Sequence, residues 1–184
     1  MPDLRFGTDA PTETERVAVD QAVAGLGPVT VEVSERLVYG GRQRTRERRH
    51  LLLPALHALQ RAAGWISPGG LDHVCRVLEV PPAEAYGVAT FYHLLADEPP
   101  EAEMVLHVCD DVACRLTGGA ELVDSLTAAG YKAQPSPCLG QCERGPAVLI
   151  QRIGATDLTV GDADPTAIGQ AVATGGPAAP TAVP

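Results

Sequence analysis

Four of the five cysteines in this 184-residue chain stand as two close pairs, Cys109 with Cys114 and Cys138 with Cys142, and no other feature constrains the fold as much. Four residues separate the first pair, three the second, and 23 lie between the pairs. Each pair is short enough for a single loop to aim two sulfurs at one point. Both lie in loop-forming sequence, at the end of an apolar run or among Gly and Pro, where backbone N–H groups are free to bond negatively charged sulfur. Four thiolates suit a tetrahedral zinc ion or an iron–sulfur cluster, and spacing alone does not choose between them. Neither pair has the two-residue spacing of dithiol redox enzymes.

The charge balance narrows the partners. With 14 basic and 23 acidic side chains the formal charge is -9, the wrong sign for a protein that grips nucleic acid through phosphates. The acidity is uneven: residues 1–96 hold 10 basic and 11 acidic groups, residues 97–184 only 4 and 12. No apolar run approaches the roughly 18–20 residues of a membrane span, so no membrane insertion is expected. Met1–Arg5 lacks the apolar core of a secretory signal. A cytoplasmic location follows as an expectation, and there an odd number of thiols serves metals more often than disulfides.

Residues 1–34 read as a flexible extension with one short helix around Glu13–Ala24, and residues 175–184, rich in Gly, Pro and Ala, as a disordered tail. Between 35 and 100 the pattern is helical. Leu52, Leu56, Leu59 and Ala63 form one stripe, Leu71, Val74, Cys75 and Leu78 the next after the Ser67–Pro68 cap. Pro81–Pro82 opens a short helix through Tyr86, and another is expected across Thr90–Leu95. Past Pro99–Pro100 the period changes. Met104–Val108 reads as a buried strand, 119–129 as a helix, Tyr131–Ala133 and Ala147–Ile150 as strands. Leu158–Val160 should pair with the last of these across a turn near Gly154, and Asp164–Pro165 starts a final helix. The predicted architecture is therefore α+β: a helical bundle, then a small α/β layer domain over 101–174.

Both halves carry a resemblance. Cys109-Asp110-Asp111-Val112-Ala113-Cys114 followed by Gly118, and Cys138-Leu139-Gly140-Gln141-Cys142 with Gly145-Pro146, resemble the cluster motifs of the thioredoxin-like [2Fe-2S] subunit of NADH dehydrogenases. That family includes a peripheral complex I subunit and counterparts in NAD-linked formate dehydrogenases and bidirectional hydrogenases. Leu53–Leu56, Gly64–Ser67 and Val80–Tyr92 are similar to its N-terminal segment, and the match runs over roughly 35–172. The resemblance implies a thioredoxin-like ferredoxin domain with one [2Fe-2S] cluster on Cys109, Cys114, Cys138 and Cys142. It implies an electron-transfer subunit of an oxidoreductase, with no catalytic acid, base or nucleophile of its own. FMN and NAD are expected on a flavoprotein partner, beside a further iron–sulfur or molybdenum/tungsten catalytic subunit. Complex I members usually carry a longer, hairpin-bearing crossing between the pairs. Here Tyr131–Pro137 crosses directly, which favours a soluble NAD-linked dehydrogenase over a standard complex I partner; by analogy within the family a formate dehydrogenase is the first expectation, with complex I or a hydrogenase diaphorase as the alternative. From another class, the rival is a zinc-stabilised interaction module without redox role.

Several single residues carry expectations. Asp110 and Asp111, inside the first ligand loop, should depress the reduction potential, with Arg115 and Arg144 partly offsetting them. Cys75 belongs to packing, His107 to the core, and Trp65, Phe91 and Tyr92 to core anchoring. Gly118–Gly119 eases a turn beside Cys114 and is no dinucleotide fingerprint. The run Arg42–Arg49 is the one basic patch, a solvated helix start or an interface with an acidic neighbour.

Overall fold

The structure is a computed structural model and describes residues 9–25 and 48–175. The tail beyond Gly175, most of the basic run at 42–49 and the ends of the N-terminal extension lie outside those residues. The chain forms two compact units, Met1–Pro100 and Glu101–Pro184.

The first unit is helical: α1 (Glu13–Gly25), a 3-10 turn (Arg49–Leu51), α2 (Leu52–Ala63), α3 (Pro68–Leu78) and α4 (Pro82–Phe91). Its core joins Val19 of α1 to Leu52, Leu56 and Leu59 of α2 and to Val74, Cys75 and Leu78 of α3. The two stripes thus face inward, and the helix of the N-terminal extension packs with them, because Val19 is fully buried. Thr12 and Glu15 close a capping box on α1: the Thr12 N–H donates to Glu15 Oε2 at 2.7 Å, and the Glu15 N–H to Thr12 Oγ1 at 3.3 Å. Ser67 caps α3 by accepting from the Gly70 N–H at 2.9 Å. It also donates to Glu15 Oε1 at 2.5 Å, so one buried carboxylate ties two helix starts together. Cys75 is packed as expected, its thiol pKa pushed up to about 11, chiefly by burial.

Two expectations fail in this unit. The helices expected to end at Tyr86 and to restart at Thr90 are one, Pro82–Phe91, and residues 92–95 form a turn closed by the Leu95 N–H on the Tyr92 carbonyl at 2.9 Å. Gly87 sits within that helix with open space beside it, so it costs helix propensity without breaking the backbone. Phe91 is 79% exposed, Tyr92 is exposed as well, and Trp65 is half-buried. None of the three is a full core anchor; on α4 it is Ala85 and Ala89 that supply the buried face.

The second unit runs β1 (Met104–Cys109), α5 (Val112–Leu116), α6 (Gly119–Ala128), β2 (Ala133–Ser136), a 3-10 turn (Cys142–Arg144), β3 (Val148–Arg152), β4 (Leu158–Val160) and α7 (Pro165–Thr174). The sheet order is β2-β1-β3-β4, with β2 parallel to β1 and the other neighbours antiparallel. Across β1 and β3, Leu106 faces Ile150 and Val108 faces Val148. Leu122 and Leu126 of α6, with Ile168 and Ala171 of α7, join these four in one core. β2 falls later than the Tyr131–Ala133 expected for it. Pro135 stands opposite Val108 within it, which an edge strand tolerates. Among the described residues no helix is long and apolar enough to cross a membrane.

Candidate metal centre

The sheet delivers both cysteine pairs to one end of the second unit. Cys109 is the last residue of β1, where its N–H bonds the Ala147 carbonyl at 2.9 Å and the Asp110 N–H bonds the Ser136 carbonyl at 2.9 Å. One strand end is thereby flanked by the chain leaving β2 and the chain entering β3, the two stretches that bracket Cys138 and Cys142. Cys114 follows on α5, whose start is capped by Asp111 accepting from the Val112 N–H at 2.7 Å.

Close approaches to glycine set the geometry. A Cβ on Gly119 would meet the Cys109 carbonyl oxygen at 2.7 Å and the Cys114 carbonyl at 3.0 Å. Only glycine lets α6 begin against the backbones of both Cys109 and Cys114, which is the turn-easing role expected of it. On Gly145 a Cβ would stand 2.8 Å from Thr117 Oγ1 and 3.3 Å from Cys114 Sγ, so the second loop touches the first. The Gly145–Pro146 bond is cis.

Cys109 and Cys114 are buried, and Cys138 and Cys142 are exposed. Burial works to raise the Cys109 thiol pKa, but the N–H groups of Asp111 and Leu139 and the Cys114 thiol outweigh it and hold it below the ordinary value. Cys114 is pushed up by burial and by its hydrogen bond to Cys109, against the Ala147 N–H. Cys142 is pushed up by the hydrogen bond to Cys138, then by that group's charge, and it also feels Cys109. Cys138 and Cys142 Sγ lie 3.6 Å apart, and the Gly140 N–H points at Cys138 Sγ from 3.5 Å.

This donor set fits a [2Fe-2S] core. Two sulfurs on one tetrahedral metal, each about 2.3 Å from it, stand roughly 3.8 Å apart, close to the separation seen for the exposed pair. Among the described residues no three or more His, Cys, Asp or Glu side chains gather around a point for one ion. The cysteines come as two pairs, and a two-iron core takes two cysteines on each iron. Backbone N–H groups aimed at the sulfurs offset thiolate charge without adding a cation.

The structure redistributes the charged residues named in the sequence. Arg115 forms a bidentate pair with Asp110, at 2.9 and 2.6 Å, and holds that carboxyl below the usual range. Arg144 instead reaches Asp162 at 3.0 Å. The Asp162 N–H donates to the Arg144 carbonyl at 2.7 Å and the Ala163 N–H to the Pro146 carbonyl at 2.9 Å, clamping the second cysteine loop to the β4–α7 turn. Asp162 adopts a positive φ of 51° there, a backbone state no simple sequence pattern announces. His107 is a packed core residue, bonded through Nε2 to Gln151 at 2.9 Å and through Nδ1 to Gln134 at 3.2 Å.

A small mixed sheet carrying two cysteine loops at one end defines a thioredoxin-like iron–sulfur domain. A family model described as thioredoxin-like [2Fe-2S] ferredoxin matches residues 41–171, and the chain belongs to that family. NADH-quinone oxidoreductase subunit 2 of Thermus thermophilus is 30% identical over 115 residues, 56% of this chain and 63% of the relative. A subunit of the Pseudomonas aeruginosa NADH-quinone oxidoreductase is 30% identical over 128 residues, 63% of this chain and 74% of the relative. A solved chain of an NAD+-reducing [NiFe]-hydrogenase in the air-oxidised state aligns over 70% of this chain and 24% of its own, at 24% identity and a TM-score of 0.49.

Proposed function

We propose that this chain is the one-electron carrier subunit of an NAD-linked dehydrogenase complex, with Cys109, Cys114, Cys138 and Cys142 as the ligands of its cluster. The observation that carries the reading is the convergence of two cysteine loops: the Gly145 backbone of the second lies against Cys114 of the first, and the Gly140 N–H points at Cys138 Sγ. When bound, a [2Fe-2S] cluster takes up and returns one electron at a time. The buried pair anchors the site in the fold; the exposed pair opens it to a neighbour. A hydride carries two electrons, so a flavin stands between NADH and this chain, on a partner that binds both FMN and NAD. In this reading catalysis belongs to the complex and this chain's part is electron transfer.

The short crossing from Cys114 to Cys138 supports a soluble NAD-linked assembly; a formate dehydrogenase, with a molybdenum- or tungsten-bearing subunit as the site of substrate oxidation, is proposed within that class by analogy alone. Four cysteines recruited to a metal centre support a reducing, cytoplasmic setting. The test is rapid mixing of the anaerobically purified complex with NADH, watched in the visible. The expected result is flavin reduction followed by bleaching of this chain's red-brown absorption. A chromophore reduced by dithionite and never by NADH through the flavoprotein would overturn the assignment.

A further inference from the structure

Two large apolar side chains stand in water beside the cysteines. On α5 the buried Cys114 points inward, and residues two positions to either side of it turn the other way. Val112 and Leu116 are accordingly 72% and 84% exposed, and among the described residues of the second unit they are the large hydrophobic side chains left so. The exposed sulfurs of Cys138 and Cys142 belong to the neighbouring loop.

The charges around them are one-sided. The second unit's basic side chains are all engaged internally: Arg115 with Asp110, Arg144 with Asp162, Lys132 with Glu101, and Arg152 with the Val172 carbonyl. Asp111 at the start of α5 and Glu143 between Cys142 and Arg144 leave a negative rim. A second copy of this chain, itself at -9, would meet that rim with like charge.

We propose that the outer face of α5, with Val112 and Leu116 at its centre, is the docking surface for the redox partner. The partner is a protein surface offering an apolar recess rimmed by arginine or lysine. This rests on the electron-carrier reading and identifies where that neighbour sits. Apolar anchors inside a charged rim are how such contacts divide the work, the centre giving affinity and the rim register and association rate.

The test uses the tagged full-length chain produced in its native host and purified without oxygen. Flavin and iron per chain are measured at low and high salt for the wild type, Leu116→Arg, Val112→Ser/Leu116→Ser, and Thr127→Arg, which places the same charge on the exposed side of α6. We expect flavin to accompany the wild type and Thr127→Arg and to wash off as salt rises. Both α5 variants should keep their iron and lose flavin at least tenfold. Equal flavin in the α5 variants, or iron lost together with flavin, overturns the docking surface. Flavin binding insensitive to salt overturns its cationic rim. A wild-type chain that retains its iron but brings no flavin overturns the electron-carrier reading beneath it.

Discussion

At the scale of single residues, the four cysteines are equal in the sequence and unequal in the fold. Cys109 gathers N–H groups from Asp111 and Leu139 in a buried setting, whereas Cys142 has Cys138 and water. Those N–H donors come from backbone, so no side-chain pattern revealed them. Gly119 is the tightest glycine beside the cysteines. Gly119→Ala should cost about 1–3 kcal/mol, because its Cβ would press on two backbone carbonyls that cannot step aside. Denaturant unfolding measures that loss, and unchanged stability would show that α6 can shift. Asp110 carries a gentler prediction. It is only partly buried and already paired with Arg115, so Asp110→Asn should raise the midpoint potential by less than about 59 mV, the one-electron equivalent of a tenfold change. A downward shift would contradict it. The sequence named Asp110, Asp111, Arg115 and Arg144 as one electrostatic group. It could not show that Arg144 turns away to Asp162, since that pairing depends on how the β4–α7 turn meets the second ligand loop.

At the scale of elements, periodicity carried most of the fold. The stripes of α2 and α3 and the apolar runs of β1 and β3 were legible because each buries one continuous face. The merger at α4 was not, since Ala83–Thr90 is small and apolar on most sides and gives no stripe from which to read a boundary. Nor did composition disclose that α1 is held by a carboxylate. Burial works to raise the pKa of Glu15, but Ser67 and Thr12 outweigh it and hold the carboxyl below its ordinary value of 4.5. The stabilisation is therefore present in full above that ordinary value and is lost as the pH falls through the lower folded value. Glu15→Gln should cost about 1–2 kcal/mol at pH 7, the scale of a lost cap, and the gap to wild type should close in acid. Urea unfolding of both proteins at pH 7 and near pH 3 tests the sign, and a gap that widened in acid would contradict it.

At the scale of the molecule, two cores rather than one organise the chain. The change of period at Pro99–Pro100 made that division visible, because helical stripes cannot continue as strands. Leu56→Ala, a cavity in the first core, should cost about 2–5 kcal/mol in denaturant unfolding while leaving the visible absorption of the native protein unchanged. Bleaching of the native variant would show that the second unit leans on the first. What the two cysteine loops hold is read most directly by iron, zinc and acid-labile sulfide per chain in freshly prepared, oxygen-protected protein. Two iron and two sulfide per chain are predicted, falling together when serine replaces any of Cys109, Cys114, Cys138 or Cys142. One zinc per chain with no labile sulfide would contradict it.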